Sequence, residues 1–271
     1  MDDYIILIII IVVLLIIVFL LILCNQGEHG EKMDPIPANT FPFQTYIINL
    51  DRKPERYQAV KRQLDQLGIT DYQRYSAVDG FFISDAVLLD GGAEQVLIDS
   101  GRGLAACAVS HRNVWKHIAK HKLDWTLILE DDVHFHPDFM KLFHKYWKET
   151  PIRAKIIYPG YLEVAPYSPQ VVIRKSVVCL HAYMLNHVGA QYLLDKLAKM
   201  DRPIDLVVEN HFSYLPGSYI FNSWVNFDGI VANDYKKNNG DKCMFNGIVY
   251  QNREEYGRTI YQAETTFNNH F

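Results

Sequence analysis

Apolar and polar positions alternate in several distinct ways along this chain. Tyr4 to Cys24 is an unbroken apolar run of 21 residues, which as a helix is about 31 Å long, close to the roughly 30 Å hydrocarbon thickness of a bilayer. The pattern predicts one membrane anchor at residues 4–24. It is too long for the core of a signal peptide, no basic residue precedes it and no A-x-A site follows. Asp2 and Asp3 before the run and Lys32 after it lean towards a cytoplasmic catalytic part, but a single lysine leaves the orientation open. Residues 25–42, with Gly27, Gly30, Pro35, Pro37 and Pro42, read as a short linker. From there to the end, residues 43–271 read as one globular domain.

Within that domain the pattern switches between strand and helix. Gln44 to Leu50 predicts a strand, and a helix follows to about Leu67, with Pro54 in its first turn and Gly68 at its end. Tyr72 to Val78 predicts a second strand, closed by the turn dipeptide Asp79-Gly80. Phe81 to Ser100 reads as irregular, and Gly101 to His121 as helical. Trp125 to Leu129 is a short apolar run of the kind that suits a strand covered on both faces. Pro137 then opens a helix over Asp138 to Thr150, Val171 to Leu180 is a further strand, and His187 to Met200 a further helix. Strands alternating with helices predict an α/β fold with a central mixed, mostly parallel sheet flanked by helices.

The formal charge of −4, with 27 Lys and Arg residues scattered along the chain, excludes a nucleic acid partner. No Asn-x-Ser/Thr sequon is present. Of the four cysteines, Cys24 lies at the membrane boundary, Cys107 reads as a small buried hydrophobe, and Cys179 and Cys243 could pair only in an oxidising compartment.

The chemistry concentrates at Glu130, Asp131 and Asp132, delivered at the end of the buried strand where open α/β sheets bind ligands. Three adjacent carboxylates repel one another unless a positive group sits among them, and a divalent cation such as Mg²⁺ or Mn²⁺ is the natural candidate. Arg52 and Arg56, at a strand-to-helix corner, are placed to face a diphosphate or nucleoside; surface ion pairing is the plainer alternative. Ser110 and His111 either satisfy nearby backbone or face the same cleft. His117 and His121 are one helical turn apart, yet no third zinc ligand is evident, so they read as exposed. His134 and His136 alternate along one face after the triplet.

The series Ile48-Asn49-Leu50-Asp51-Arg52 with Glu55-Arg56, Ala77-Val78-Asp79-Gly80, Cys107-Ala108-Val109-Ser110-His111 and Leu129-Glu130-Asp131-Asp132-Val133 resembles glycosyltransferase family 25. That family includes lipooligosaccharide and collagen hydroxylysine galactosyltransferases. His181-Ala182-Tyr183-Met184, Gly189-Ala190, Leu193-Leu194, Pro203-Ile204-Asp205 and Gly247-Ile248-Val249-Tyr250-Gln251 continue the likeness in order over nearly the whole domain. The resemblance implies a GT-A type fold, a nucleotide-sugar donor such as a UDP-sugar, Mn²⁺ (or Mg²⁺), and inverting transfer of a hexose, galactose first, to a glycan or protein hydroxyl. Asn49, Asp51, Arg52, Arg56 and Asp79 then fall in the nucleotide corner with Ser110, His111, Glu130 and Asp131. Asp132 becomes the direct metal ligand, with Asp131 beside it and nearer the ribose. Leu104 departs from the family pattern, which has an acid there; donor identity is the property this affects most, and a non-catalytic scaffold with the same fold is the alternative.

Inversion also requires a base for the acceptor hydroxyl. Asp205 is the candidate, with helix capping as its competing role, and Glu209 and Asp228 in reserve. His181 reads either as a phosphate or metal contact or as a core hydrogen-bonding group.

Overall fold

The computed structural model describes residue 4 and residues 9–17, 31–162, 172–174, 177, 179–212, 217–221 and 245–251. Residues 9–17 are helical and exposed. Among the described residues no helix is long and apolar enough to cross a membrane; the rest of the 4–24 run lies outside them, as do Cys24, Cys243 and Asp228.

The domain is a three-layer α/β sandwich. Its main sheet runs β2-β1-β3-β7-β5-β8-β6, and β9 also pairs with β5. The strands are β1 (Gln44–Asn49), β2 (Tyr72–Ser76), β3 (Thr126–Glu130), β5 (Ile156–Leu162), β6 (Val172–Arg174), β7 (Ala182–Leu185), β8 (Ser218–Phe221) and β9 (Phe245–Gly247). Their period-two alternation divides the core. Tyr46, Ile48, Ile128, Ile156, Tyr183 and Ile220 face one cluster. Ile47, Leu127, Leu129, Ile157, Met184 and Phe221 face the other. Burial on both faces explains why the central strands read as continuous apolar runs.

One face is covered by α1 (Pro54–Gln66) and α5 (Phe139–Trp147). The other is covered by α2 (Asp85–Asp90), α3 (Gln95–Ser100), α4 (Arg102–His121), α6 (His187–Lys196) and α7 (Ile204–Phe212). Helix α1 ends as expected: the next residues are Leu67 and then Gly68 at φ +73°, a left-handed position that glycine adopts at no steric cost.

Several expectations are corrected. The sheet is mixed but not mostly parallel: β1–β2, β1–β3 and β5–β8 are parallel, whereas β3–β7, β5–β7, β5–β9 and β6–β8 are antiparallel. The chain crosses from β3 to β5 leaving one strand's width between them, and β7 fills that gap in the opposite direction. Phe81 to Ser100 is not irregular, since it carries the short helices α2 and α3, too brief to show helical periodicity. Between the triplet and α5 lies an unforeseen strand, β4 (Val133–Phe135), paired antiparallel with β10 (Val249–Gln251) in a separate two-stranded sheet. Only residues 172–174 of the predicted strand 171–180 are strand among those described. Helix α6 stops at Lys196 because Leu197 leaves helical geometry. Its continuation pairs with the α2–α3 loop, with Met200 N–H donating to the Gly92 carbonyl (2.9 Å) and Glu94 N–H to that of Met200 (2.8 Å).

Residues 31–42, read from sequence as part of a linker, lie against the end of α5. Met33 N–H donates to the Thr150 carbonyl (2.8 Å), Ile152 N–H to that of Glu31 (2.8 Å) and the Trp147 indole N–H to that of Asp34 (2.9 Å).

Candidate active site

Because β1, β2 and β3 run parallel, their carboxyl ends present Asn49, Ser76 and Glu130 along one edge of the sheet. Asn49 is buried and uses all of its amide. Its Nδ2 donates to the Lys53 carbonyl (2.8 Å) and to Asp131 Oδ2 (2.6 Å), and its Oδ1 accepts from Arg74 Nε (2.7 Å). Pro54 starts α1 just beyond this corner, which sends Arg56 back over the acidic triplet. One guanidinium nitrogen of Arg56 lies 3.2 Å from Asp131 Oδ1 and the other 3.3 Å from Asp132 Oδ2. For two of the three adjacent carboxylates, Asp131 and Asp132, the positive partner in this structure is an arginine.

Glu130 has its own partner. His111 Nε2 is 3.3 Å from Glu130 Oε1, His111 Nδ1 is 2.9 Å from the Tyr183 hydroxyl, and the Trp115 indole N–H donates to that hydroxyl (2.8 Å). An imidazole proton on Nε2 satisfies this chain in one direction: Trp115 to Tyr183, Tyr183 to His111, His111 to Glu130. Burial pushes the Glu130 carboxyl up, but the hydrogen bond from His111 and the electrostatic pull of the His111 and His181 rings and of Arg56 outweigh it and hold the carboxyl below its ordinary value.

His181 braces the site from behind. It is fully buried, its carbonyl accepts from Glu130 N–H (2.9 Å), and its Nε2 bonds the Val249 carbonyl (3.1 Å). Burial lowers its pKa. The Cys179 thiol bonds its other ring nitrogen (3.0 Å), so this one residue, through its carbonyl and its ring, ties the end of β3 to β10. The neighbouring strand must be glycine at Gly160, where a Cβ would lie 2.5 Å from His181 Nε2 and 2.2 Å from the Val249 carbonyl oxygen.

The other residues singled out from sequence divide into two groups. Asp51 is exposed and held by Arg74 and Ser76, whose hydroxyl donates to it at 2.9 Å; the Arg74 and Ser76 hydrogen bonds lower its pKa. Arg52 pairs with Asp79 at 2.6 Å, and Asp79 Oδ1 accepts from Phe81 N–H (3.0 Å). Ser110 is buried in structural ties, accepting from Val78 N–H (2.8 Å) and donating to the Ala106 carbonyl (2.7 Å). Asp205 lies in the first turn of α7 and accepts from Cys179 N–H (3.2 Å) and Leu206 N–H (3.0 Å). His136 accepts from Asp138 N–H (3.0 Å) ahead of α5, and His134 sits in β4 opposite Tyr250. His117 is half-buried, bonding the Tyr46 hydroxyl at 2.9 Å.

Cys107 is a correction. Far from being a buried hydrophobe, it is open to solvent on α4. Yet surrounding protein and then the charges of Glu130, Asp205, Asp132 and Asp131 push its thiol well above the ordinary value. The thiol is thus reachable from solvent while it feels the negative charge of those carboxylates. With His111 and Glu130, Cys107 gathers three potential ligand atoms within 4.8 Å of one another. Sequence reasoning also missed Arg74, although an arginine two residues before Ser76 on a strand points to the same face.

Residues 43–175 match the sequence model of Glycosyltransferase family 25 (LPS biosynthesis protein). The chain carries a domain of that family. Its family 25 relatives include a Glycosyltransferase 25 family member of Drosophila melanogaster, 28% identical over 189 residues, covering 61% of this chain and 31% of the relative. A Procollagen galactosyltransferase 1-B of Xenopus laevis is 24% identical over 192 residues, covering 62% of this chain and 31% of its own length. The chain thus spans about a third of the length of these family 25 proteins. Among solved structures, a glycosyltransferase involved in the glycosylation of the major capsid of PBCV-1 aligns over 80% of this chain and 100% of its own, at 10% identity and TM-score 0.45. The family 25 blocks fall where the geometry converges: the end of β1, the loop after β2, the middle of α4 and the end of β3.

Proposed function

We propose that the protein is a membrane-anchored, inverting glycosyltransferase of GT-A type that moves a hexose, galactose first, from a UDP-sugar to a hydroxyl of a glycan or of collagen-type hydroxylysine. The observation that carries this reading is the convergence of Asn49, Arg56, Asp131 and Asp132 at the carboxyl edge of the parallel strands. Residues 4–24 supply the anchor, 25–42 the connection and 43–271 the catalytic domain.

The donor set at this corner is carboxylate oxygen, chemistry that suits Mn²⁺ or Mg²⁺. Asp132, with Asp131 held in orientation by Asn49, would hold the ion, which when bound neutralises the charge that develops on the departing diphosphate. Arg56 already brings positive charge to both carboxylates and stays beside the same phosphates. Arg52 and Asp51, more exposed, line the nucleotide side with Asp79. Asp205 takes the proton of the acceptor hydroxyl as its oxygen attacks the anomeric carbon and the bond to the diphosphate breaks. Its two backbone contacts hold the carboxylate in one orientation and leave lone pairs for that proton.

The test uses the full chain in detergent, a panel of UDP-sugars, and Mn²⁺, Mg²⁺ or chelator. Metal-dependent UDP release from one donor, reduced at least a hundredfold in Asp132→Ala, is expected; full activity in that variant overturns the mechanism. A second reading, a non-catalytic binding fold, is favoured by Leu104, exposed on the first turn of α4, and by the arginine seated between the two aspartates. UDP binding without turnover of any donor, with or without acceptors, supports it.

A further inference from the structure

We propose that Cys107, His111 and Glu130 form a zinc site on the wall of the cleft, distinct from the Asp131–Asp132 pair. Cys107 and His111 are four residues apart on α4, so both project from one face of a helix. Glu130 arrives from the end of β3, a different element, which fixes the third ligand independently of the first two. The three ligand atoms lie within 4.8 Å of one another. The 3.3 Å between His111 Nε2 and Glu130 Oε1 is close to the edge of about 3.4 Å expected for a tetrahedron with zinc-to-ligand bonds near 2.1 Å.

A thiolate, an imidazole and a carboxylate are a donor set that favours Zn²⁺ over Mn²⁺ or Mg²⁺. Three protein ligands leave the fourth position for water or a ligand oxygen. Behind the ring, the Tyr183 hydroxyl at Nδ1 is the outer partner that ligating histidines use to fix their orientation. On binding, the imidazole proton moves from Nε2 to Nδ1, where the phenol oxygen accepts it, and the Cys107 thiol proton is released to solvent. The site does not depend on whether the protein transfers a sugar.

Titration of the full chain with Zn²⁺ against a chromophoric chelator tests this, beside Cys107→Ser, Glu130→Gln and Asp132→Asn, with melting curves to verify folding. One Zn²⁺ per chain is expected, bound at least tenfold more weakly by Cys107→Ser and Glu130→Gln and unchanged in Asp132→Asn. Co²⁺ in place of Zn²⁺ should give a thiolate charge-transfer band that Cys107→Ser abolishes. Equal affinity in Cys107→Ser, a loss confined to Asp132→Asn, or no Zn²⁺ bound overturns the proposal. Should Glu130→Gln fail to fold, Cys107→Ser, altered at an accessible position, decides alone.

Discussion

Asn49 is the residue on which the acidic corner most depends. Three hydrogen bonds converge on its buried amide, and one of them orients Asp131. Asn49→Ala removes all three and leaves buried groups unmatched, which costs about 1–3 kcal/mol and is read as a lower urea midpoint. At Gly160 the argument is steric: Gly160→Ala drives a methyl into the Val249 carbonyl and the His181 ring, an overpacking cost of about 1–3 kcal/mol. The acid limb of stability divides between two residues. His181 is buried with its pKa lowered from 6.5, so below that value the unfolded chain takes up a proton that the folded chain refuses, and stability falls. Glu130, lowered from 4.5, contributes stability that is fully present above 4.5 and is lost as pH falls through its folded value. Melting temperature against pH should therefore decline in two stages. His181→Gln flattens the first stage and Glu130→Gln the second; a single decline unchanged by either variant contradicts this assignment.

At the scale of the element, α4 shows how far sequence carried the picture. Its start and end were legible to a residue, because Gly101 and the apolar positions Ala105, Val109 and Trp115 mark one buried face. The cleft side of the same helix was not: Cys107 lies one position from the buried Ala106 and Ala108, and no local pattern separates a small cleft residue from a core one. Strands β1 and β3 were readable as apolar runs, whereas β4 was not. Its three residues are ordered by β10, more than a hundred positions away, and by Gln63, whose side chain bonds Val133 O (3.0 Å) and Phe135 N (3.1 Å). The acidic triplet was evident and a divalent cation was its expected positive partner, but the pairing with Arg56 was not, because a strand end does not reveal which arginine the next helix folds over it. Helix α4 also ends on Lys122 at φ 51°, ψ 42°, in the left-handed region. Lys122→Gly relieves that strain and should stabilise the protein by about 0.5–1 kcal/mol, after the entropic cost of glycine in the unfolded chain. A higher melting temperature checks it, and a lower one shows that the lysine side chain contributes more than its backbone costs.

For the molecule as a whole, the question is where the folded unit begins. Sequence put the boundary at residue 43, on the strength of the prolines and glycines before it. Those residues do break regular structure, but they do not keep residues 31–42 off the domain. Phe41 sits 4.9 Å from the Phe143 ring and 5.3 Å from that of Phe43, while Met33 and Ile36 pack on the same cluster as α5. Lys32 pairs with Glu149, and Met33 and Asp34 bond the end of α5 through their backbones. Burial of a half-covered Phe, Met and Ile contributes about 1–2 kcal/mol each, less than full burial gives, and ordering the backbone offsets much of that sum. The net effect on stability should still be favourable by about 1–3 kcal/mol, because α5 and its aromatic partners are otherwise exposed along one edge. Two fragments, one beginning at Glu31 and one at Phe43, compared by urea unfolding, decide it. A higher midpoint for the longer fragment, abolished by Phe41→Ala, makes residues 31–42 part of the domain. Equal midpoints return the boundary to residue 43 and leave the contacts of residues 31–42 energetically neutral.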